Sequence, residues 1–160
     1  MDNILVLGSK GQIGLSLTKI LRTFSRFNVT ECDIVCDESN DLRKKSEFLN
    51  QLFRSADFVY FLAYDVGGSK YLQDNQNSTN FLNNNLLLML NTFSYLEKYS
   101  NPFIFASTQM SNMSHSPYGT LKRIGEHYTN ILGGHIVRFW NTYGIENNQE
   151  KTHVITDFIN

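Results

Sequence analysis

Four apolar residues in succession, Ile4-Leu5-Val6-Leu7, stop at Gly8, and a run of that length bounded by glycine suits a strand buried on both faces of a parallel sheet. The period then changes. After the turn Gly8-Ser9-Lys10-Gly11-Gln12-Ile13-Gly14, apolar residues recur at helical spacing at Ile13, Leu17, Ile20, Leu21 and Phe24. Phe27 to Asp33 predicts a second strand, and Asp41 to Arg54 a helix capped by Asp41, with Leu42, Phe48, Leu49 and Leu52 apolar. A third strand, Asp57 to Ala63, precedes a loop through Gly67-Gly68 and a long helix within Thr79 to Tyr99, which Asn101-Pro102 ends. Phe103 to Ser107 reads as the fourth strand, Pro117 to about Leu132 as a helix with proline at its start, and His135 to Phe139 as the fifth strand. Strand and helix alternate along the chain, which predicts an α/β architecture with a doubly wound parallel sheet. The segment His153 to Asn160 looks like the opening of a further amphipathic helix with no stop signal, so the chain is expected to end mid-element at 150–160.

The 160 residues suffice for one domain with a substantial core. Fourteen Lys and Arg stand against 15 Asp and Glu, and no basic run is longer than Arg43-Lys44-Lys45, so no nucleic-acid partner is expected. Cys32 and Cys36 are the only cysteines and no His/Cys cluster accompanies them; they read as reduced thiols, and no metal site is expected. The N-terminus has no basic region, and Ile4 to Leu7 is too short for a signal or membrane segment. A cytoplasmic protein without a membrane partner is the expectation.

Gly8, Gly11 and Gly14 form GxxGxxG between a strand and a helix, where missing side chains let backbone N–H groups, including those of Gln12 and Ile13, approach a pyrophosphate near the positive helix end. Asp33 ends the second strand about 20 residues on, where a carboxylate can accept hydrogen bonds from the adenosine ribose. This is a Rossmann-type dinucleotide signature. The residues after Asp33 are Ile34, Val35 and Cys36, so nothing there would neutralise a 2′-phosphate, and NAD is preferred to NADP. Tyr118 and Lys122 are one helical turn apart on one face. A phenol with a free pKa of about 10 needs a cation nearby to act as a base at neutral pH, and a lysine at that spacing can supply it.

Taken together these residues resemble the extended short-chain dehydrogenase/reductase family, whose members remodel nucleotide-activated sugars. The resemblance adds Asp41-Leu42, similar to the family's Asp-Leu element near adenine; Phe61-Leu62-Ala63, similar to the strand before the cleft; and Asn85, similar to its helix Asn. Ser107-Thr108 is similar to the Ser/Thr that hydrogen-bonds the reacting hydroxyl, with Thr108 preferred and Ser107 left open by one residue of offset. Arg138-Phe139-Trp140-Asn141-Thr142-Tyr143-Gly144 looks like the family's Arg-x-x-Asn-x-Tyr-Gly segment, in which Asn141 would hold substrate. The resemblance implies a catalytic set of Thr108, Tyr118 and Lys122, the last two also touching NAD, with Leu62 and Ala63 beside the cofactor.

Loop features are nearest GDP-fucose synthase and GDP-mannose 3,5-epimerase, through Asp65-Val66-Gly67-Gly68. The Asp-Glu pair of dTDP-glucose 4,6-dehydratases is replaced by Gln109-Met110, and Met110 stands where the 3,5-epimerases carry a basic Cys. Lys151 and His153 lie where that group has a second acid/base. The expected function is an NAD-dependent epimerase or reductase acting on a nucleotide-sugar, dimerising through the helices that carry Asn85 and Tyr118. The resembled enzymes continue for about as many residues again, so the resemblance implies a C-terminal substrate domain that is expected to be largely absent from these 160 residues. The alternative is a truncated or non-catalytic NAD-binding module that needs a missing half or a partner.

Overall fold

Burial on both faces is what the first strand needs, and it has it: Ile4, Leu5, Val6 and Leu7 are each at most 5% exposed within β1 (Asp2–Leu7). The computed structural model describes residues 1–142. β1 is followed by α1 (Gln12–Leu21), β2 (Phe27–Cys32), a 3-10 turn at Glu38–Asn40, α2 (Glu47–Ser55) and β3 (Phe58–Phe61). Then come α3 (Ser69–Asn75), α4 (Thr79–Tyr99), β4 (Phe103–Thr108), a second 3-10 turn at Gln109–Asn112, α5 (Pro117–Ile131) and β5 (His135–Phe139).

All five strands are parallel, in the order β2-β1-β3-β4-β5, with Ile4 paired to Val29 on one side and to Phe58 on the other. The order reverses between β1 and β3, and at such a switch point the connections leave to opposite faces and open a crevice at the strand ends. A six-stranded dinucleotide sheet carries a further strand outside β2; here the chain makes only the 3-10 turn before α2.

Side-chain alternation divides the core. Leu5, Leu7, Val59, Phe61, Phe103 and Phe105 point toward α2, α4 and α5, whereas Ile4 and Val6 meet Leu17 and Leu21 of α1. On the first face Phe93 of α4 is the hub. Its ring stacks on Tyr128 at 5.0 Å and meets Phe61 and Phe105 at 5.3 and 5.6 Å, a geometry that aromatic quadrupoles favour.

Two helix boundaries differ from the sequence reading, and one helix is added. α1 stops at Leu21, and Phe24 instead packs edge-on to Phe27 in the turn that follows. The second helix begins at Glu47 because Ser46, not Asp41, caps it by accepting from the Leu49 N–H at 3.1 Å. Asp41 instead closes the preceding 3-10 turn. The short helix α3 was unforeseen; it fills part of the expected loop and anchors through buried Leu72. The end of the Asn141 segment at Tyr143-Gly144 and the expected mid-element end at 150–160, with Lys151 and His153, lie outside the described residues.

The aromatic hub predicts a large truncation cost. Phe93→Ala should destabilise by about 4 kcal/mol, read as a fall in the urea midpoint at unchanged slope; a loss under about 1 kcal/mol would show that the ring stack contributes little.

Candidate active site

The glycine turn is built by close contact. Gly8 has φ +80°, a conformation that L side chains rarely adopt, and a Cβ there would lie 2.6 Å from the Ala63 nitrogen. A Cβ on Gly14 would lie 2.2 Å from the Gly8 carbonyl oxygen, so α1 can start this near the turn only with glycine at that position. Gly11 is the N-cap of α1 and supplies no side-chain acceptor, which leaves the N–H groups of the first turn, Gln12 and Ile13 among them, for a ligand. Asp33 follows β2 and is held by two backbone donors: its carboxylate accepts from Lys10 N–H at 2.9 Å and Val35 N–H at 3.0 Å. Lys10 is in turn paired with Glu31, so the cation beside the turn is neutralised.

These residues border a cleft of about 1000 Å³ at the C-terminal ends of the strands. Asp41, Leu42, Leu62 and Ala63 border it too. The Asp41 carboxylate is nonetheless occupied: Arg43 donates to it from its backbone N–H at 3.1 Å, from Nε at 2.8 Å and from Nη2 at 3.0 Å. That guanidinium holds the Asp41 carboxyl below the usual range. Asn85, fully buried in α4, shapes the same wall by accepting from Asp65 N–H at 2.8 Å and donating to the Asp65 carbonyl at 3.1 Å.

On the opposite wall, Thr108 ends β4, and Tyr118 and Lys122 project from the first turns of α5. Ser116 caps that helix by accepting from Gly119 N–H at 3.1 Å, with Pro117 at its first position. Gly119 permits contact with the turn after β4, since a Cβ would lie 2.1 Å from the Met110 carbonyl oxygen. Asn141, beyond β5, borders the cleft and is exposed.

Ser107 borders the cleft but its hydroxyl is turned away from it, donating to Glu126 Oε1 at 2.6 Å. Arg138 grips the same carboxylate, Nε to Oε1 and Nη2 to Oε2, both at 2.7 Å. Arg138 is the main reason that the Glu126 pKa falls to about 2, with Ser107 assisting. The result ties β4, α5 and β5 together beneath the Tyr/Lys pair.

The Tyr118 phenol departs from the sequence reading. Burial pushes its pKa up to about 12, against an opposing hydrogen bond with Thr108. Lys122 does not lower it here. Its Nζ donates to the Ala106 carbonyl at 2.7 Å and sits 3.7 Å from the centroid of the Tyr64 ring, but 5.9 Å from that of Tyr118. Burial brings the Lys122 pKa down to about 7.

Sequence reasoning missed Tyr64, Arg43 and Glu126. Glu126 was within reach, since Tyr118, Lys122 and Glu126 are four apart and share one helix face. Tyr64 and Arg43 sit in irregular segments without a period. Among the described residues no group of three His, Cys, Asp or Glu could hold a metal ion.

Comparison with known proteins accords with this layout. The profile of the NAD dependent epimerase/dehydratase family matches residues 4–160. No curated protein sequence matches the chain. UDP-glucose 4-epimerase of Thermus thermophilus, solved in complex with NAD, is 23% identical with a TM-score of 0.71, covering 91% of this chain and 57% of its own. Pal from Bacillus thuringiensis, also 23% identical, reaches a TM-score of 0.75 over 98% of this chain and 62% of its own. A dTDP-4-dehydrorhamnose reductase from Clostridium acetobutylicum is 21% identical with a TM-score of 0.72, over 92% and 56% respectively. At these identities the likeness is one of fold, and the chain spans only 56 to 62% of these three structures.

The Glu126 cluster has a measurable pH signature. A carboxyl with its folded pKa near 2 and its ordinary value at 4.5 adds stability that is complete above pH 4.5 and is lost as pH falls toward 2. Glu126→Gln should therefore cost roughly 2 kcal/mol at pH 7, and the gap to the wild type should narrow between pH 4.5 and 3 in urea titrations. A gap independent of pH would count against the charge-based account.

Proposed function

The chain belongs to the NAD-dependent epimerase/dehydratase family, and from that premise we propose that it binds NAD and carries the proton-transfer residues of an epimerase or reductase acting on a nucleotide-activated sugar. The carrying observation is the facing of two walls across one cleft: glycine turn and Asp33 on one side, Thr108, Tyr118 and Lys122 on the other.

The residues fit a dinucleotide. The space beside Gly8 and Gly14 that a Cβ would fill, and the uncapped first turn of α1, suit a pyrophosphate. Asp33, already oriented by Lys10 and Val35 N–H groups, has carboxylate lone pairs left for ribose hydroxyls. NAD is favoured over NADP because the nearby cations are taken, Lys10 by Glu31 and Arg43 by Asp41. When bound, the nicotinamide would supply hydride acceptance and return at a carbinol carbon.

The chain's own residues would handle the proton. The Tyr118 oxygen takes it from the reacting hydroxyl and gives it back, and Thr108 holds that hydroxyl by a hydrogen bond. For Tyr118 to work near neutral pH its raised pKa has to come down. A unit charge at about 4 Å and effective dielectric near 20 is worth about 4 kcal/mol, or about three pH units; Lys122, with Nζ 5.9 Å from the Tyr118 ring centroid in this structure, would supply part of the lowering by drawing nearer in the occupied cleft. Asn141, with Lys151 and His153, would contact the sugar. Leu87, Leu90 and Ile124 on α4 and α5 are apolar and partly exposed, which supports self-association through these helices.

A second reading rests on length. Because the chain spans 57% of the Thermus epimerase, this reading is of an NAD-binding module that turns over only with a further polypeptide half.

NAD titration by calorimetry, followed by a nucleotide-sugar panel, separates these. Wild type and Tyr118→Phe should bind NAD within about threefold of each other, NADP at least about tenfold more weakly, and Tyr118→Phe should lose turnover by at least about a hundredfold. Binding without turnover in the wild type favours the module; no NAD binding overturns both readings.

A further inference from the structure

Lys122 is 3% exposed, and that burial pushes its pKa down to about 7. An ammonium so placed ordinarily has a carboxylate partner. The charged and titratable groups around it are otherwise engaged. Glu126, one turn further along α5, is bound by Arg138 of β5 and Ser107 of β4. Asp65, beyond β3, accepts from Tyr71 and Asn84. What faces Lys122 is aromatic: Tyr64 at 3.7 Å from Nζ to ring centroid, Phe105 at 4.9 Å and Tyr118, from its own helix, at 5.9 Å.

We propose that the ring face of Tyr64 is the counter-group of the Lys122 ammonium, which makes Tyr64 a positioning residue for the Tyr118/Lys122 pair. A cation over an aromatic face is attracted by the ring quadrupole, and most strongly where water is excluded. At 3.7 Å the Tyr64 ring is near enough to supply this attraction, and the Ala106 carbonyl, accepting at 2.7 Å, fixes the direction from which the ammonium meets it. The Tyr64 ring is itself fixed, edge-on to Tyr118 at 5.8 Å between centroids, with its hydroxyl 3.8 Å from Met89 Sδ. Tyr64 thus touches both members of the pair. Its effect is to keep Lys122 charged inside the wall and to set how far that charge stands from the phenol. The consequence for catalysis rests on the function proposed above; the attraction itself does not.

The test reads Lys122 directly. In full-length protein labelled with ¹⁵N-lysine, NMR follows the titration of the side-chain amine, with Lys122→Arg identifying the resonance. Tyr64→Phe keeps the ring face and should leave the midpoint within about 0.3 pH unit, while Tyr64→Leu should lower it by about one unit, a tenfold change in proton affinity. If the leucine variant does not fold, Tyr64→trifluorophenylalanine keeps the ring's outline while draining its quadrupole, and should lower the midpoint similarly. An unmoved midpoint in the fluorinated variant, or an equal fall in Tyr64→Phe, overturns the proposal. Failure of the wild type to bind NAD would sink the proposed function and leave this result standing.

Discussion

Gly8 brings the end of β1 so near Ala63 that one added carbon would lie 2.6 Å from a backbone nitrogen, and the geometry of the whole cleft follows from that contact. With the post-β3 segment against the turn, Leu62, Ala63 and Tyr64 come to border the same space as the glycine backbone. Gly14 repeats the device six residues on, bringing the start of α1 up to the Gly8 carbonyl. The sheet supplies the other half of the constraint, because a parallel sheet whose connections diverge between β1 and β3 opens at that place and no other.

Across the cleft the dominant cost is a buried charge. Lys122 is placed among aromatic rings and a carbonyl oxygen, while the carboxylate nearest along its helix is bound to Arg138. The two arrangements serve different ends. Glu126, paired and hydrogen-bonded, fastens three elements together. Lys122, carrying one hydrogen bond, keeps a pKa near neutrality and so can respond to what enters the cleft.

Regular elements were legible because they obey a period. The run Ile4 to Leu7 and the strands at β3 and β4 were placed within a residue or two, since burial leaves a nearly unbroken apolar signature; β5 was placed as well, although it is a largely exposed edge strand. The start of α2 was misplaced because Asp41 and Ser46 are both good capping residues, and the folded chain shows that Arg43, two residues on, occupies Asp41. The glycine turn and the Tyr118, Lys122 spacing announced a site from local pattern alone. Its electrostatics did not show, because the directions of the Tyr118 and Lys122 pKa values follow from burial, and that of Glu126 from Arg138 on another element, none of which a local pattern displays. Ser107 and Thr108 were ambiguous for a similar reason: adjacent strand residues face opposite ways, and Glu126 settles which hydroxyl is tied up.

Asn85 gives the molecule a mechanical property. Its side-chain amide imitates a peptide group, bonding both the N–H and the carbonyl of Asp65 and also the Phe81 carbonyl within α4. The floor of the cleft is therefore bolted to a 21-residue rod whose far side carries half-exposed Leu87 and Leu90. Removing the Asn85 amide would leave the Asp65 N–H and carbonyl without these partners, and the post-β3 border of the cleft would lose its tie to α4.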